Sequence, residues 1–366
     1  LDVRFSPYGF HTSEPLPRIT PLMKKITFAI VGFGHIGKRH AQMISGHPEA
    51  ELVGIADIDE NQRGNAEKLK VPFFNSMEDL FAAKIPALVI CICTPNGLHA
   101  ELAIAALENS CHVVVEKPMG LTKSSCEEVI FTSLKMSRQV FCVMQNRYSP
   151  PSQWLKQVIE EKRLGKIFTV QINCYWNRDD RYYHPSKDGV PGSWKGTIAL
   201  DGGPLFTQFS HFIDIMYWLF GDICDIYAQF ENSNHLHSTE FSDDSGMVSF
   251  HFQNGGLGCF NYSTAVWDKN LESSMTITGE KGSIKVGGQY MENVEYCHVK
   301  DYQLPEIAPA SPPNDYGAYK GSAANHNYVI QNVIDTLLER STITTNALEG
   351  MKVVEIIERI YALRKK

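Results

Sequence analysis

The sequence ITFAIVGFGHIG, residues 26–37, decides the fold of this chain. Its apolar first half, Ile26–Val31, is typical of a buried parallel strand, which is covered on both faces and so lacks polar alternation. Gly32, Gly34 and Gly37 follow in the spacing G-x-G-x-x-G, and a helical pattern begins at once. Glycines so spaced permit a tight turn, close approach of backbone to a pyrophosphate, and close packing of helix on strand. The stretch therefore predicts a strand–turn–helix unit that binds a dinucleotide.

A second predicted strand supports this interpretation. Residues 51–57, ELVGIAD, are mostly apolar and end in Asp57, twenty residues after Gly37. An acidic side chain in this place can bind the ribose hydroxyls of an adenosine. Its charge would repel the 2′-phosphate of NADP, so the sequence favours NAD. The alternative is a chance glycine-rich turn in an ordinary βα unit, but strand, helix and acid all agree with the dinucleotide site.

Strands and helices alternate through the rest of the first half of the chain. Apolar runs at 87–93, 111–115 and 140–144 are predicted strands, with helical patterns between them. This alternation predicts an α/β Rossmann domain, a doubly wound parallel sheet of about six strands. Ligands of such sheets bind beyond the carboxyl ends of the strands. The residues expected to contact NAD there are Gly32, Phe33, Gly34, His35, Ile36, Gly37, Asp57, Thr94, Pro95, Asn96, His99, Glu116, Lys117 and Gln145.

The pattern changes after Pro150-Pro151. Consecutive segments of period-two or aromatic and β-branched character predict an α+β domain with an open-faced, mostly antiparallel sheet. These segments are residues 167–176, 223–231, 245–253, 256–264, 272–278 and 282–286, and terminal helices are predicted at 322–338 and 347–363. One broad face of such a sheet needs a cover, so we expect a homo-oligomer, a dimer or a tetramer, packed sheet to sheet. The predicted domains are residues 23–148 and 149–366.

Composition limits the classes of function. The 366 residues suffice for two domains, and 43% apolar with 20% charged residues is typical of a globular protein. A net charge of −7 gives no global basic field, so nucleic acid is not an expected partner. No apolar run reaches the ~20 residues that span a membrane, so no membrane partner is expected. The nine cysteines are scattered without a C-x-x-C pair, which is typical of a reduced, cytoplasmic protein.

Two local features carry further expectations. Residues 1–22 contain prolines and no sustained period, and Met23-Lys24-Lys25 resembles a natural start. We interpret 1–22 as a disordered leader or an artefact of upstream translation; an arm that docks on a neighbouring subunit is the alternative. His235 and His237 have no third ligand at a metal spacing, so no metal is expected.

Lys117 is the first candidate for chemistry. It stands in Glu116-Lys117-Pro118, at the end of a predicted strand and at the rim of the expected cofactor cleft. Its ammonium could hydrogen-bond a substrate hydroxyl and stabilise the alkoxide that forms as hydride leaves. A surface lysine in a loop is the simpler alternative on composition alone.

His211 is the second candidate. Gly202-Gly203 opens a predicted helix on which Thr207, His211 and Asp214 fall at i, i+4 and i+7, on one face. A histidine can take a hydroxyl proton near neutral pH, and a carboxylate one turn on could orient it. His211 and Asp214 are therefore catalytic candidates. The alternative is a core histidine with satisfied hydrogen bonds.

A polar, aromatic and glycine-rich stretch, NRDDRYYHPSKDGVPGSW, occupies residues 177–194 and precedes Lys195-Gly196-Thr197. Such a composition is expected of a loop that closes over a sugar or nucleotide, and also of a long solvated loop. The residues expected to contact substrate, here and in the other stretches, are Lys117, Arg147, Tyr148, Trp194, Lys195, Thr207 and His211.

These motifs together resemble the Gfo/Idh/MocA family, which includes glucose-fructose oxidoreductase and inositol dehydrogenase. The markers are Gly32–Gly37, Thr94-Pro95-Asn96 with His99, Glu116-Lys117-Pro118 and the Gly202–Asp214 stretch, within a similarity from Lys24 to Arg364. The resemblance implies a Rossmann domain, an open-faced sheet domain, and oxidation of a ring hydroxyl by bound nicotinamide. It implies that Lys117 is the motif lysine and His211 the catalytic histidine. Inositol dehydrogenase-like members have an aspartate four residues before that histidine, where this chain has Thr207. Two alternatives follow: Asp214 orients His211 instead, or the histidine acts without a carboxylate partner.

Four more stretches, residues 145–148, 175–178, 194–197 and 200–203, are similar to bacterial nucleotide-sugar dehydrogenases. Those enzymes oxidise carbon 3 of UDP-N-acetylglucosamine or its uronic acid. The resemblance thus implies an NAD-dependent dehydrogenase of a sugar or nucleotide sugar. Two alternatives stay open. Some relatives use NAD transiently, so that oxidation at carbon 3 drives cleavage of a glycoside; a dinucleotide-binding regulator without catalysis would need neither Lys117 nor His211.

Overall fold

A computed structural model describes residues 25–183, 194–315, 317 and 319–364. The predicted leader at 1–22 and residues 184–193 of the predicted closing loop lie outside the described residues. Within them the strands are β1 (Ile26–Val31), β2 (Ala50–Ala56), β3 (Phe73–Phe74), β4 (Val89–Ile92), β5 (His112–Val115), β6 (Val140–Cys142), β7 (Ile167–Tyr175), β8 (Ile223–Glu231), β9 (Ser245–Phe252), β10 (Leu257–Ser263), β11 (Glu272–Gly279), β12 (Gly282–Gly287), β13 (Asn293–Val299), β14 (Pro313–Asp315) and β15 (Lys320–Ala323).

The α-helices connect these strands and close the chain. They are α1 (His35–Gly46), α2 (Arg63–Lys68), α3 (Met77–Ala82), α4 (His99–Glu108), α5 (Lys123–Met136), α6 (Pro150–Glu160), α7 (Asp180–Tyr183), α8 (Pro204–Thr207), α9 (Ser210–Phe220), α10 (His326–Leu337) and α11 (Ala347–Tyr361). None of the helices in the described part of the chain has the length and apolarity needed to cross a membrane.

The first sheet is entirely parallel and confirms the predicted doubly wound domain. Its six strands lie in the order β3-β2-β1-β4-β5-β6, so β1 is flanked by β2 and β4. Phe28 and Ile30 on β1 are fully buried, as expected for a strand covered on both faces. The strand order reverses beside β1, and in open α/β sheets ligands bind in the crevice at such a switch point. This edge therefore positions the site.

The second sheet has seven strands and confirms an open, mostly antiparallel domain. The order is β13-β12-β11-β7-β10-β9-β8, and every neighbouring pair is antiparallel except β7 with β10. Side chains alternate along the strands, so that Val248, Phe250 and Phe252 on β9 are buried. Strand β13 was not predicted, and the helix predicted from residue 322 begins only at His326, because β15 ends at Ala323.

The carboxy-terminal helices return to the first domain. Val333 and Ile334 on α10 are buried in one apolar cluster with Phe28 and Ile30 of β1. Helix α11 packs against α5 of the first domain and α9 of the second. The last segment of the chain therefore contributes to the cores of both domains, whereas the predicted boundary at residue 148 assigns it to the second domain alone.

Candidate active site

A cavity of about 670 Å³ lies along the carboxyl edge of the parallel sheet and extends beneath the second domain. Volumes of about 300–1,000 Å³ are usual for small-molecule and cofactor sites. The predicted site residues that line it are Gly32, Gly34, His35, Ile36, Asp57, Thr94, Pro95, Asn96, His99, Glu116, Lys117, Gln145, Trp194, Lys195, Thr207 and His211. The structure thus brings together, from both domains, most of the residues that the sequence singled out.

The glycine turn has the shape that a dinucleotide requires. Gly32 adopts φ +90°, and a Cβ there would lie 2.6 Å from the carbonyl oxygen of Cys93. A Cβ on Gly37 would lie 2.0 Å from the carbonyl oxygen of Gly32, so the helix packs directly on the turn. Gly34, in contrast, has nothing within 4 Å of that position and faces the cavity at the start of α1. The open backbone and the helix N-terminus fit a pyrophosphate.

Asp57 lies at the end of the neighbouring strand and is bonded to the turn. Its Oδ2 accepts a hydrogen bond from the backbone N–H of Phe33, and its Oδ1 accepts from that of Asp59 at 2.8 Å. A carboxylate can accept about four hydrogen bonds, so acceptor capacity remains for ribose hydroxyls. The side chain of Phe33 packs in the core and Gly37 lies against the turn, so these two predicted cofactor residues support the turn from behind.

Lys117 reaches from the first domain into the second. Its Nζ, beyond the end of β5, donates a hydrogen bond to the carbonyl oxygen of Thr207 at 2.6 Å. Burial lowers the pKa of the Lys117 ammonium from its ordinary value, and the carboxylates of Glu116 and Asp201 oppose that shift. The residue is therefore a hydrogen-bond donor held at the cavity wall, and less basic than an exposed lysine.

His211 lies in the first turn of α9, buried at the same cavity. Its Nε2 is 3.2 Å from the amide nitrogen of Gln145, and its Nδ1 makes no hydrogen bond within the described residues. Burial, aided by the charge of Lys117, holds the pKa of His211 well below its ordinary value. The imidazole is therefore neutral near pH 7, with one nitrogen lone pair able to accept a proton.

The structure corrects the predicted helix face. The chain forms two helices, α8 and α9, separated by Gln208 and Phe209, so Thr207 does not share a continuous helix with His211. Asp214 binds Arg147 through both carboxylate oxygens, at 2.6 and 2.8 Å. The prediction that Asp214 orients His211 is therefore wrong on geometry, because a buried arginine occupies the carboxylate.

Arg147 and Tyr148 are likewise structural rather than cavity-lining. Arg147 is fully buried, and beyond its two bonds to Asp214 it donates to Glu349 of α11 at 2.7 Å. Tyr148 stacks on Tyr328 of α10, with ring centroids 5.7 Å apart. Neither side chain lines the cavity, because both contact the carboxy-terminal part of the chain, so this structure gives no support to their predicted contacts with substrate.

A buried group of two histidines and a carboxylate lies beside Lys117. Glu116 Oε1 is 2.9 Å from His40 Nε2 and 3.5 Å from His326 Nε2. Such a His₂Glu set could in principle hold a metal ion, which the sequence did not predict. Glu116 and His40 share a hydrogen bond at 2.9 Å, whereas Nδ1 of His40 and Nδ1 of His326 have no hydrogen bond within the described residues. Burial raises the pKa of Glu116, but the two histidines outweigh it and hold that pKa well below its ordinary value.

Several residues at the cavity were missed in the list of candidates. Arg178 lies at its wall, 4.7 Å from the ring of Trp176 and 5.0 Å from that of Tyr319. Trp176 and Arg178 stand in one of the stretches that resemble nucleotide-sugar dehydrogenases, so a signal for them existed. Tyr319, like the cavity residues Asn314 and Ser322, belongs to a region of the chain without a motif.

Fold and site together define a class of protein: an oxidoreductase with a dinucleotide-binding domain and a sheet domain that completes the cavity. Comparison with protein families makes this specific. A model of the Gfo/Idh/MocA oxidoreductase family, NAD-binding Rossmann fold, matches residues 26–143, and a model of the GFO/IDH/MocA C-terminal domain matches residues 152–285. The two models cover more than half of the chain, which therefore belongs to the Gfo/Idh/MocA family and is an NAD-dependent oxidoreductase.

Individual relatives agree with this assignment. The chain is similar to the WlbA dehydrogenase of Chromobacterium violaceum, crystallised with NADH and UDP-GlcNAcA, at 32% identity and a TM-score of 0.83, covering 95% of this chain and 96% of that one. WlbA of Bordetella pertussis, in complex with the same two molecules, is 29% identical with a TM-score of 0.79, covering 93% and 96%. A 2,7-anhydro-N-acetylneuraminate hydratase of Escherichia coli is 27% identical over 270 residues, 72% of this chain and 68% of its own length.

The shape of the glycine turn can be tested by NADH binding. We expect Gly37→Ala to weaken NADH binding by about tenfold or more, because the added methyl group displaces the backbone of Gly32. The measurement is titration of NADH fluorescence, with circular dichroism to confirm that the variant is folded. Gly46→Ala at the far end of α1, where a Cβ meets nothing within 4 Å, is the matched control. NADH affinity of Gly37→Ala within twofold of wild type would contradict the assignment.

Proposed function

We propose that this protein oxidises a ring hydroxyl of a nucleotide sugar, carbon 3 of UDP-N-acetylglucosamine or of its uronic acid, with NAD as the hydride acceptor. The observation that carries the proposal is that Lys117 and His211, from different domains, line one cavity with the glycine turn. The bound UDP-GlcNAcA of the two WlbA relatives supports the substrate class.

Lys117 and His211 have complementary roles in this proposal. When bound, NAD accepts the hydride from the sugar carbon. Lys117 donates a hydrogen bond to the reacting oxygen and stabilises the negative charge that develops there. His211, neutral because it is buried, accepts the hydroxyl proton. Since Asp214 is bound to Arg147, the imidazole works without a carboxylate partner from α9.

Substrate recognition is assigned to the second-domain side of the cavity. Lys195 lies with its Nζ 4.2 Å from the ring centroid of Tyr182, and burial lowers its pKa to about 8. Together with Trp194 it presents an aromatic and cationic wall to the cavity. Such a wall suits a sugar ring that carries anionic groups, as a nucleoside diphosphate or a uronic acid does.

Loss of either proposed catalytic group is expected to lower turnover. Lys117→Ala and His211→Ala should each reduce kcat by about a hundredfold or more with NAD⁺ and UDP-N-acetylglucosaminuronic acid, while NADH binding persists. NADH absorbance gives the rate. Lys123→Ala, which removes an exposed amine from α5, is the control for Lys117. Wild-type turnover in both variants would exclude the assigned roles.

Net formation of NADH separates the proposal from its alternative. One relative is named as a hydratase, and hydration involves no net oxidation or reduction. This name keeps open the alternative in which the cofactor is restored within each turnover. A dehydrogenase accumulates one NADH per sugar oxidised, whereas redox-assisted glycoside cleavage releases the two halves of a glycoside with no net NADH. The second outcome would replace the proposed reaction and leave the cavity assignment unchanged.

Asp57 is proposed to select NAD over NADP. Its carboxylate lies at the cavity where the adenosine ribose is expected, so it repels a 2′-phosphate. We expect tighter binding of NAD⁺ than of NADP⁺, and at least about a tenfold loss of that preference in Asp57→Ala. Titrations of both cofactors with both proteins make the comparison. Tighter NADP⁺ binding by the wild type would contradict this role.

The exposed face of the second sheet is proposed as a contact between subunits. Tyr227 on β8, Met247 on β9 and Leu257 on β10 are 71, 67 and 49% exposed on that face. We expect an oligomer in sedimentation velocity, and dissociation to a smaller species in Met247→Lys, because a charge is costly in an apolar contact. Phe131→Lys, which places the same charge at an equally exposed apolar residue of α5, is the control. A monomeric wild type would contradict this proposal.

A further inference from the structure

Asp201 is a buried residue without an assigned role in the proposed chemistry, and segments from both domains meet at it. It is 1% exposed. Its Oδ2 accepts the backbone N–H of Gly196 at 2.8 Å, and its Oδ1 accepts the hydroxyl of Thr207. Its carbonyl oxygen accepts the side-chain amide of Asn96 at 2.8 Å. Asp201 is therefore bonded to three separate segments.

Each of these three contacts leads to a wall of the cavity. Asn96, at the rim of the parallel sheet, donates to the hydroxyl of Thr207 at 2.9 Å as well as to Asp201. Thr207 offers its carbonyl to Lys117 Nζ at 2.6 Å. Gly196 follows Lys195, which lines the substrate side. The carboxylate of Asp201 thus holds Gly196, next to the substrate wall, and Thr207, the anchor of the lysine, while the backbone carbonyl of Asp201 holds Asn96 of the cofactor rim.

The charge of Asp201 acts on Lys117 as well. Burial raises the pKa of Asp201 to about 6, against the opposing effects of its hydrogen bonds and of Lys117. In return the carboxylate raises the pKa of Lys117, which burial lowers. The titratable and charged groups that face Asp201 are Lys117, Lys195, Tyr182, Tyr183 and Tyr361. Besides Asp201, the groups that face Lys117 are Glu116, Arg178 and His211.

We propose that Asp201 is a positioning residue: it ties the anchor of Lys117, the carbonyl of Thr207, to the cofactor rim and the substrate wall, and it adds a second negative charge, besides that of Glu116, near the lysine. The inference rests on the proposed role of Lys117 in the oxidation.

Asp201→Asn separates the charge from the hydrogen bonds. The amide oxygen can accept the N–H of Gly196 while the amide nitrogen donates to the hydroxyl oxygen of Thr207. The hydroxyl can then donate to the carbonyl oxygen of residue 201, 3.0 Å away. The variant can thus keep its bonds to Gly196 and Thr207, while it loses the negative charge, which the backbone N–H of Gly203 also faces. An acid whose pKa is raised on folding destabilises the fold above that pKa, so Asp201→Asn should melt no lower than wild type at pH 8.

The direct test is the reactivity of Lys117 without substrate. Competitive labelling with acetic anhydride, read by mass spectrometry, reports the fraction of each lysine that is a free amine. Loss of the carboxylate should lower the pKa of Lys117, so that Asp201→Asn is labelled about tenfold faster than the wild type at pH 8. Asp225→Asn, at an exposed acid on β8, should leave the rate unchanged. A rate in Asp201→Asn within twofold of wild type would overturn the proposal.

The wild-type protein offers a second test that needs no variant. Below its pKa an amine is labelled about tenfold more slowly for each pH unit. For Lys117 the decline should be shallower near pH 6, because Asp201 gains its proton there. A tenfold decline per unit throughout would contradict the charge coupling.

These readouts keep the inference separate from the proposed function. If no sugar is oxidised but the labelling of Lys117 follows Asp201, the reaction assignment fails and the charge coupling stands. If UDP-N-acetylglucosaminuronic acid is oxidised while the labelling ignores Asp201, the function stands and the inference fails. With both correct, Asp201→Asn lowers kcat by about tenfold, and the alkaline limb of its pH–rate profile moves to lower pH.

Discussion

The ammonium of Lys117 and the carbonyl oxygen of Thr207 meet at 2.6 Å, and this hydrogen bond joins the two domains at the point where the chemistry is proposed. A buried ammonium is costly unless it is paired, so the lysine at the end of β5 needs an acceptor from the second domain. Thr207 can supply it because α8 stops there, which leaves its carbonyl outside a continuing helix. The orientation of the domains and the position of the lysine are thereby set together.

The ionisable groups around that bond are held in different protonation states. Glu116, between two histidines, is held ionised, whereas the neighbouring His211 is held neutral by burial and by the cation beside it. One site thus contains a buried carboxylate, a partly buried ammonium and a buried neutral imidazole whose Nδ1 has no hydrogen bond within the described residues. A proton acceptor and a hydrogen-bond donor at one cavity are the two groups that alcohol oxidation requires of a protein.

The sequence predicted what local rules determine. The glycine spacing predicts the turn, because Gly32 has a positive φ and Gly37 has no room for a Cβ, and the apolar strands predict a sheet that is covered on both faces. The cavity lining followed from the rule that strand ends meet at one edge. The incorrect predictions concern contacts between segments that are distant in the sequence. Arg147 pairs with Asp214 and Glu349, and helical periodicity alone does not predict such partners. The break at residues 208–209 likewise depends on packing in the second domain.

A crystal structure with NADH and UDP-N-acetylglucosaminuronic acid would test the central claim most directly. The account predicts that the hydroxyl oxygen on carbon 3 lies within about 3.2 Å of both Lys117 Nζ and a ring nitrogen of His211, with the nicotinamide over the same carbon. The account is contradicted if the sugar binds away from either nitrogen, or if the two nitrogens face different surfaces once the cofactor is in place.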